Sequence, residues 1–452
     1  MKYKELDLTV GNITKKLIFF GTPLFLANLL QSFYSMVDML VVGNVVGSTG
    51  LAAISNASMI SFIINSIGIG LSTGGSVLIA QYKGARDLKG QKETVCSLIA
   101  LSAAAAIIVT ILGIWSYPYV FRVLHVPESA MKDACTYMFI VCCGTIFVFG
   151  YQAVCAIMRG LGDSKSPLYF VLVAAIVNIV LDIFLVGPCE MGTKGAAYAT
   201  VFAQGSSFVF SAIHLRKKHD VFDIKIRSSA IKKDKIWAIL DVGIPSAVQM
   251  AVVNVSFLII TGMLNIYGVE VAAASGIGLK INTFAGMPCW AVGQAVTSMA
   301  GQNMGAKKID RVRKTTRTGL AVNLSVTLFS VILVQIFAGP VIRLFDPENV
   351  AVVDLGILYL RICCSANSLV YAAMYTFDSF ATGVGAARLA MFNSLLDSVV
   401  VRLLAAWVLG TCAGMGFMGI YIGQALSPIL PAIVGAVYFK KKRWEGKTII
   451  PR

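Results

Sequence analysis

Two acids stand where an apolar chain has little reason to hold them. Asp38 lies well inside the otherwise uncharged run Phe20 to Gly43, FGTPLFLANLLQSFYSMVDMLVVG. At about 100° per residue, Asn28, Gln31, Ser35 and Asp38 fall in one angular sector, so a single polar stripe faces one way. Asp182 sits in an otherwise apolar run, four residues after Asn178, so the two share a helix face. A carboxylate at membrane depth costs at least about 2.5 kcal/mol, so such groups face protein or water and mark an ion or substrate path. The chemistry available to them is exchange of a proton or a hard cation.

The elements that must position these acids are membrane spans. The chain has 452 residues, 57% hydrophobic and only 13% charged, with a mean hydropathy of +0.79. That balance belongs to a polytopic membrane protein and to no water-soluble domain. The formal net charge is +16, which in a soluble chain would suggest nucleic acid. Here the basic residues sit in short loops between apolar runs, with no basic face interleaved with aromatics, so no nucleic-acid partner is expected. The first 16 residues, MKYKELDLTVGNITKK, show no short apolar core with a cleavage site, and no removable signal peptide is expected. The ten cysteines lie mostly in apolar runs without metal-ligand spacing and read as small hydrophobes. Only His125, His214 and His219 are present, all in or beside loops, and no metal-binding acid cluster accompanies them. An intramembrane enzyme is therefore not expected.

Apolar runs separated by charged or Gly/Pro-rich breaks give about twelve spans between residues 16 and 440, among them 354–380, 387–411 and 417–440. Alternate loops carry nearly all the basic residues. By the positive-inside rule the chain is a multi-pass protein of the cell (plasma or inner) membrane with both termini in the cytoplasm. The two halves repeat. GTPLFLANLL at Gly21 matches GIPSAVQMAV at Gly243, and IAQYKGARDLKGQKET matches MAGQNMGAKKIDRVRKT. RGLGDSK matches TGVGAAR, and MGTKGAAY matches MGFMGIYI. Each copy has an even number of spans, so both enter the membrane the same way round, as parallel repeats. The expected fold is all-α, two six-helix bundles related by a pseudo-two-fold axis normal to the membrane. The expected division is residues 1–215 for the first bundle, 216–235 for a basic cytoplasmic linker and 236–452 for the second.

Pro23 in the first span, the SMVDMLVVG that follows it, QYKGA at Gln81 and RGLGDSK at Arg159 form one run of motifs. NIVLDIFLV at Asn178, GAAYAT at Gly195 and GQNMGA at Gly301 continue it. Together they resemble the multidrug and toxic compound extrusion (MATE) transporters, and most nearly their bacterial DinF-like branch. The resemblance implies antiport: amphipathic, mostly cationic drugs or toxic metabolites leave as H⁺ or Na⁺ enters, with no other cofactor. It implies an ion-coupling cluster at Asp38, Asn178, Asp182 and Thr200, where two carboxylates and two neutral oxygens would suit Na⁺ or share a proton. It also implies a bend at Pro23, where the missing N–H breaks the helix ladder. The carboxylates that the NorM-like branch carries in its seventh and tenth helices have no counterpart here; those positions hold Val253 or Asn254 and Tyr371. Position 260, the repeat partner of Asp38, is Ile. Coupling is thus expected in the first bundle alone.

Asn28, Gln31, Ser35, Met36, Phe62, Met250, Asn254, Phe257 and Met287 are candidates to line an adaptable cavity. Asp397 and Arg402, five residues apart, are poorly placed to pair on an α-helix, so each is expected to meet a partner on another helix. Lys280 has no assigned role, and Arg159, Asp163 and Asp378 read as contacts at the cytoplasmic ends. Membrane lipid and a small-molecule cargo are the expected partners of a monomer. A flippase for lipid-linked precursors, of the same wider superfamily, is the alternative reading; such proteins tend to have extra spans and a more cationic cavity.

Overall fold

The computed structural model describes residues 6–123, 126–218, 231–347, 349–446 and 448–450. His125, His219 and most of the expected linker lie outside them. In order, the helices are α1 (Ile13–Val45), α2 (Ser48–Ala85), α3 (Leu88–Val123), α4 (Glu128–Leu161), α5 (Lys165–Val186), α6 (Gly192–Lys218), α7 (Lys233–Asn265), α8 (Val269–Gly305) and α9 (Ile309–Arg343). There follow α10 (Val350–Cys363), α11 (Ala366–Gly383), α12 (Ala387–Cys412) and α13 (Phe417–Lys440). Among the described residues, ten helices are long and apolar enough to cross a membrane, or eleven when α10 and α11 count as one bent span. The 37-residue α8 is the remaining rod, less apolar because Glu270, Lys280 and many small polar residues interrupt it.

The local chemistry accounts for the ends. Gly162 closes α4 in the left-handed region at φ 91°, a conformation a residue without Cβ adopts freely. Asp163 Oδ1 then accepts from the N–H groups of Lys165 and Ser166, both at 3.0 Å, and so caps the first turn of α5. Asn349 does the same for α10, accepting from Ala351 and Val352.

The chain divides into two compact units, one of residues Met1–Asp7 with Thr22–Ala247, the other of Leu8–Gly21 with Val248–Arg452. In the first, α4 packs against α2, α3 and α6, and α5 lies along α6. Val42, Ile54, Phe121, Tyr137, Met138 and Ala196 build part of its core. Glycines let backbones close up: a Cβ at Gly74 would stand 2.2 Å from the Ile239 carbonyl oxygen. In the second unit α8 packs against α9, α10 and α11, and α11 against α9 and α13. Its core includes Ile260, Leu264, Tyr359, Leu360, Ala406 and Tyr421. The outward residues are apolar, as lipid demands; Ile111, Trp115 and Phe202 are all more than half exposed.

The expected span 354–380 is broken. Its two halves, α10 and α11, meet at 47°, and the break frees carbonyls that lipid cannot satisfy. Gln335 on α9 supplies the donors, its Nε2 reaching Leu360 O at 2.9 Å and Cys364 O at 2.6 Å. Asn367 Nδ2 adds a bond to Cys363 O at 3.0 Å. Gln335→Leu should therefore lower stability by about 1–3 kcal/mol, read as an earlier unfolding midpoint in detergent.

Candidate functional site

All the sequence-derived coupling residues fall in the first unit. Asp38 is on α1, Asn178 and Asp182 on α5, and Thr200 on α6. Asp38 is 9% exposed, Asn178 1% and Asp182 0%, while Thr200 is half-buried. The carboxyls of Asp38 and Asp182 face one another as direct side-chain neighbours, and Asn178 is a second neighbour of Asp182. Yet Asp38 Oδ1, both carboxyl oxygens of Asp182 and both amide atoms of Asn178 are buried without a hydrogen-bond donor or acceptor to meet them. Orphans of this kind are rare in a folded interior.

The helices explain the meeting. Asn178 and Asp182 share a face of α5 one turn apart, and α5 lies along α6, which carries Thr200. Two tyrosines and a glutamine that sequence reasoning missed complete the enclosure. Tyr34, one turn before Asp38 on the same face of α1, has its hydroxyl 3.5 Å from Gln204 Nε2 and lies within electrostatic reach of Asp38. Tyr137 of α4 is 6% exposed, adjoins Thr200 and lies within reach of both acids. The spacing of Tyr34 from Asp38 was a usable signal; nothing local to Tyr137 was.

Chemically, the cluster is a set of hard oxygens with no cationic side chain among the named neighbours. A positive charge held between the carboxyls would relieve their repulsion and meet the orphaned lone pairs. Among the described residues there is no group of three or more His, Cys, Asp or Glu that could hold a metal ion. Any cation here would therefore rest on two acids helped by neutral oxygens, a donor set for Na⁺ or H⁺ and not for a transition metal.

The remaining candidates are distributed as follows. Pro23 is buried inside the unbroken α1. Asn28 is half-buried, and Gln31 is exposed beside Tyr34. Ser35 bonds back to Gln31 O at 3.0 Å. Met36 and Phe62 are exposed, at 41% and 44%. In the second unit Met250, Asn254 and Phe257 are half-buried, with Asn254 Nδ2 bonded to Met250 O at 2.6 Å. Met287 is buried. Phe257 also borders a small cavity of about 20 Å³ with Thr261, Ser275, Tyr359 and Gln424. Val253 is half-buried, and Tyr371 accepts from Trp290 Nε1 at 3.3 Å and stacks on Tyr375. Lys280 is exposed and Arg159 half-buried. All ten cysteines are free, six of them buried.

One expectation fails. Asp397 and Arg402 do pair with each other, Nη2 to Oδ2 at 2.6 Å. The reason is that Leu396–Leu403 is π-helical, not α-helical. The wider turn brings residues five apart into register. The Arg402 guanidinium also lies over the Phe257 ring, 4.4 Å from its centroid.

Comparison with known proteins fits this architecture. The MatE family model matches residues 23–184 and again 245–408, once in each half of the sequence. The chain belongs to the MatE family. A probable multidrug resistance protein, YpnP of Bacillus subtilis (strain 168), is 30% identical over 449 residues, covering 98% of both chains. A probable multidrug resistance protein NorM of Thermotoga maritima is 24% identical, covering 98% of this MatE chain and 96% of its own. In fold, the chain matches an outward-facing multidrug resistance MATE transporter of the MOP superfamily with a TM-score of 0.91, at 22% identity and over 98% of both chains. As a MatE protein it is a multi-pass membrane transporter of the multidrug efflux type and not an enzyme.

Proposed function

We propose that this protein is a secondary antiporter that exports amphipathic, mostly cationic drugs or toxic metabolites as H⁺ or Na⁺ enters. The single observation that carries the reading is the pair of facing, buried carboxyls, Asp38 and Asp182, with Asp38 Oδ1 and both Asp182 oxygens left without donors. An exchangeable cation held there by Asp38 and Asp182, with the oxygens of Asn178 and Thr200, would meet those oxygens. Its release would leave a negative site whose refilling drives the next cycle. The relatives bear multidrug resistance names, which favours small organic cargo. Asn28, Gln31, Ser35, Met36, Phe62, Met250, Asn254, Phe257 and Met287 are the candidate cavity-lining side chains.

On this reading the two expected six-helix bundles, 1–215 and 236–452 joined by 216–235, alternate access to the two sides. Pro23 is where α1 changes its bend as the charge on Asp38 changes. Helices of this type change state when an ion favours one arrangement over the other. The protein would work as a monomer in the plasma or inner membrane with both termini in the cytoplasm.

The test is transport by purified protein in proteoliposomes loaded with a fluorescent organic cation. A pH gradient and a Na⁺ gradient are imposed in turn. One of them should accelerate cargo movement above the rate in protein-free vesicles, and the direction should reverse when the gradient is reversed. Transport indifferent to both gradients would overturn the antiport reading.

A further inference from the structure

A second set of orphaned oxygens lies in the other unit, on residues the coupling cluster does not use. Asp378 on α11 accepts from Asn393 Nδ2 of α12 at 2.6 Å through Oδ1. Its Oδ2 has no partner, and neither has the Asn393 carbonyl oxygen Oδ1. One turn further along α12 stands Asp397, within electrostatic reach of Asp378. Asp397 gives Oδ2 to Arg402 and to the Ser398 hydroxyl, and its Oδ1 is again an orphan. Exposure of Asp378, Asn393 and Asp397 is 2%, 0% and 1%.

Only one of the two carboxyls has a cationic partner. Asp397 alone pairs with the guanidinium of Arg402, which is itself 4% exposed and whose Nη1 is a further buried orphan. With both carboxyls ionised, the guanidinium offsets one of them and the other has no counter-charge among the named side chains. Three neutral or acidic oxygens beside it lack donors, and buried lone pairs are ordinarily met. The π-helical stretch that begins at Leu396 is what holds Arg402 against Asp397. By engaging Oδ2 it leaves Oδ1 as the orphan. Such wide turns recur at functional sites. The cluster stands two helical turns beyond Tyr371 on α11, so it is not the carboxylate-free position noted above.

We propose that Asp378 Oδ2, Asn393 Oδ1 and Asp397 Oδ1 form a second cation site, selective for a monovalent hard ion, Na⁺. When both carboxyls are ionised beside the one guanidinium, a single monovalent ion offsets the remaining charge, and carboxylate and amide oxygens suit Na⁺ over softer metals. Ser398 and Arg402 do not ligate it; they orient Asp397, as outer-shell groups do for metal-binding carboxylates. The site is separate from the Asp38 cluster in sequence, helices and unit.

The test is ²²Na⁺ binding to purified protein that carries Asp38→Asn and Asp182→Asn, which remove both acids of the first cluster. One saturable equivalent of ²²Na⁺ should remain. Adding Asp378→Asn, a near-isosteric change that keeps a partner for Asn393, should weaken it about tenfold or more, and Asn393→Ala should weaken it by a similar order. Size-exclusion elution and unfolding midpoint establish that each variant is folded. No saturable ²²Na⁺ binding in the double variant, binding indifferent to Asp378→Asn, or proton uptake without any Na⁺ binding would each overturn the proposal. Because the first cluster is disabled throughout, none of these results depends on how Asp38 acts.

Discussion

Asp38→Asn should reduce gradient-driven export to the rate of protein-free vesicles while leaving the protein folded. The substitution keeps the volume and the hydrogen-bonding reach of the side chain and removes only its charge. In the wild type, Asp38 and Asp182 face each other with orphaned oxygens; with one acid gone, the reason for a cation to sit between them goes too. Folding should be spared, because burying an uncharged amide is less costly than burying an unpaired carboxylate. Export in proteoliposomes measures the loss, and the unfolding midpoint establishes that the protein is intact. Undiminished export in the variant would remove Asp38 from the mechanism. Asp182→Asn should behave alike. Tyr371→Phe should not, since Tyr371 lies in the other unit and carries no carboxylate.

The second large effect concerns stability. Arg402→Met should destabilise the protein by about 3–5 kcal/mol, because it leaves Asp397 buried and unpaired. The wild-type pair is held at 2.6 Å, with side chains 5% and 2% exposed. Arg402 also loses its contact with the Phe257 ring. The double substitution Asp397→Leu with Arg402→Met should recover much of the loss, since removing both charges costs far less than removing one. Thermal unfolding of the four forms in detergent gives the cycle. Equal midpoints for Arg402→Met and wild type would contradict it.

These two sites differ in how far they could be read from the residues. Asp38 and Asp182 stand out because an ionisable group in a long apolar run has few innocent explanations, and Asn178 is tied to Asp182 by spacing alone. The spans are legible for the same reason: apolar length is set by membrane thickness, whatever the tertiary packing. Tyr137 was invisible because a tyrosine in an apolar helix is ordinary until its neighbours are known. The bend between α10 and α11 was equally hidden, since Cys364–Ser365 carries no proline or glycine and the break is sustained by Gln335 from a different helix. The Asp397–Arg402 pair was misread because spacing rules assume 3.6 residues per turn. The π-helical stretch departs from that period, and no single residue in Leu396–Leu403 announces it.

On the proposed antiport reading, the carboxyl pair of α1 and α5 holds the cation that is exchanged for cargo, and cargo binding releases it. The most direct measurement adds a saturating organic cation to purified protein in a weakly buffered solution. Released protons are followed with an indicator dye, and released ²²Na⁺ by filtration. Displacement of one ion or the other by the wild type, absent in Asp38→Asn, is the expected result. Cargo binding that releases neither ion, or release that survives Asp38→Asn unchanged, would contradict the claim.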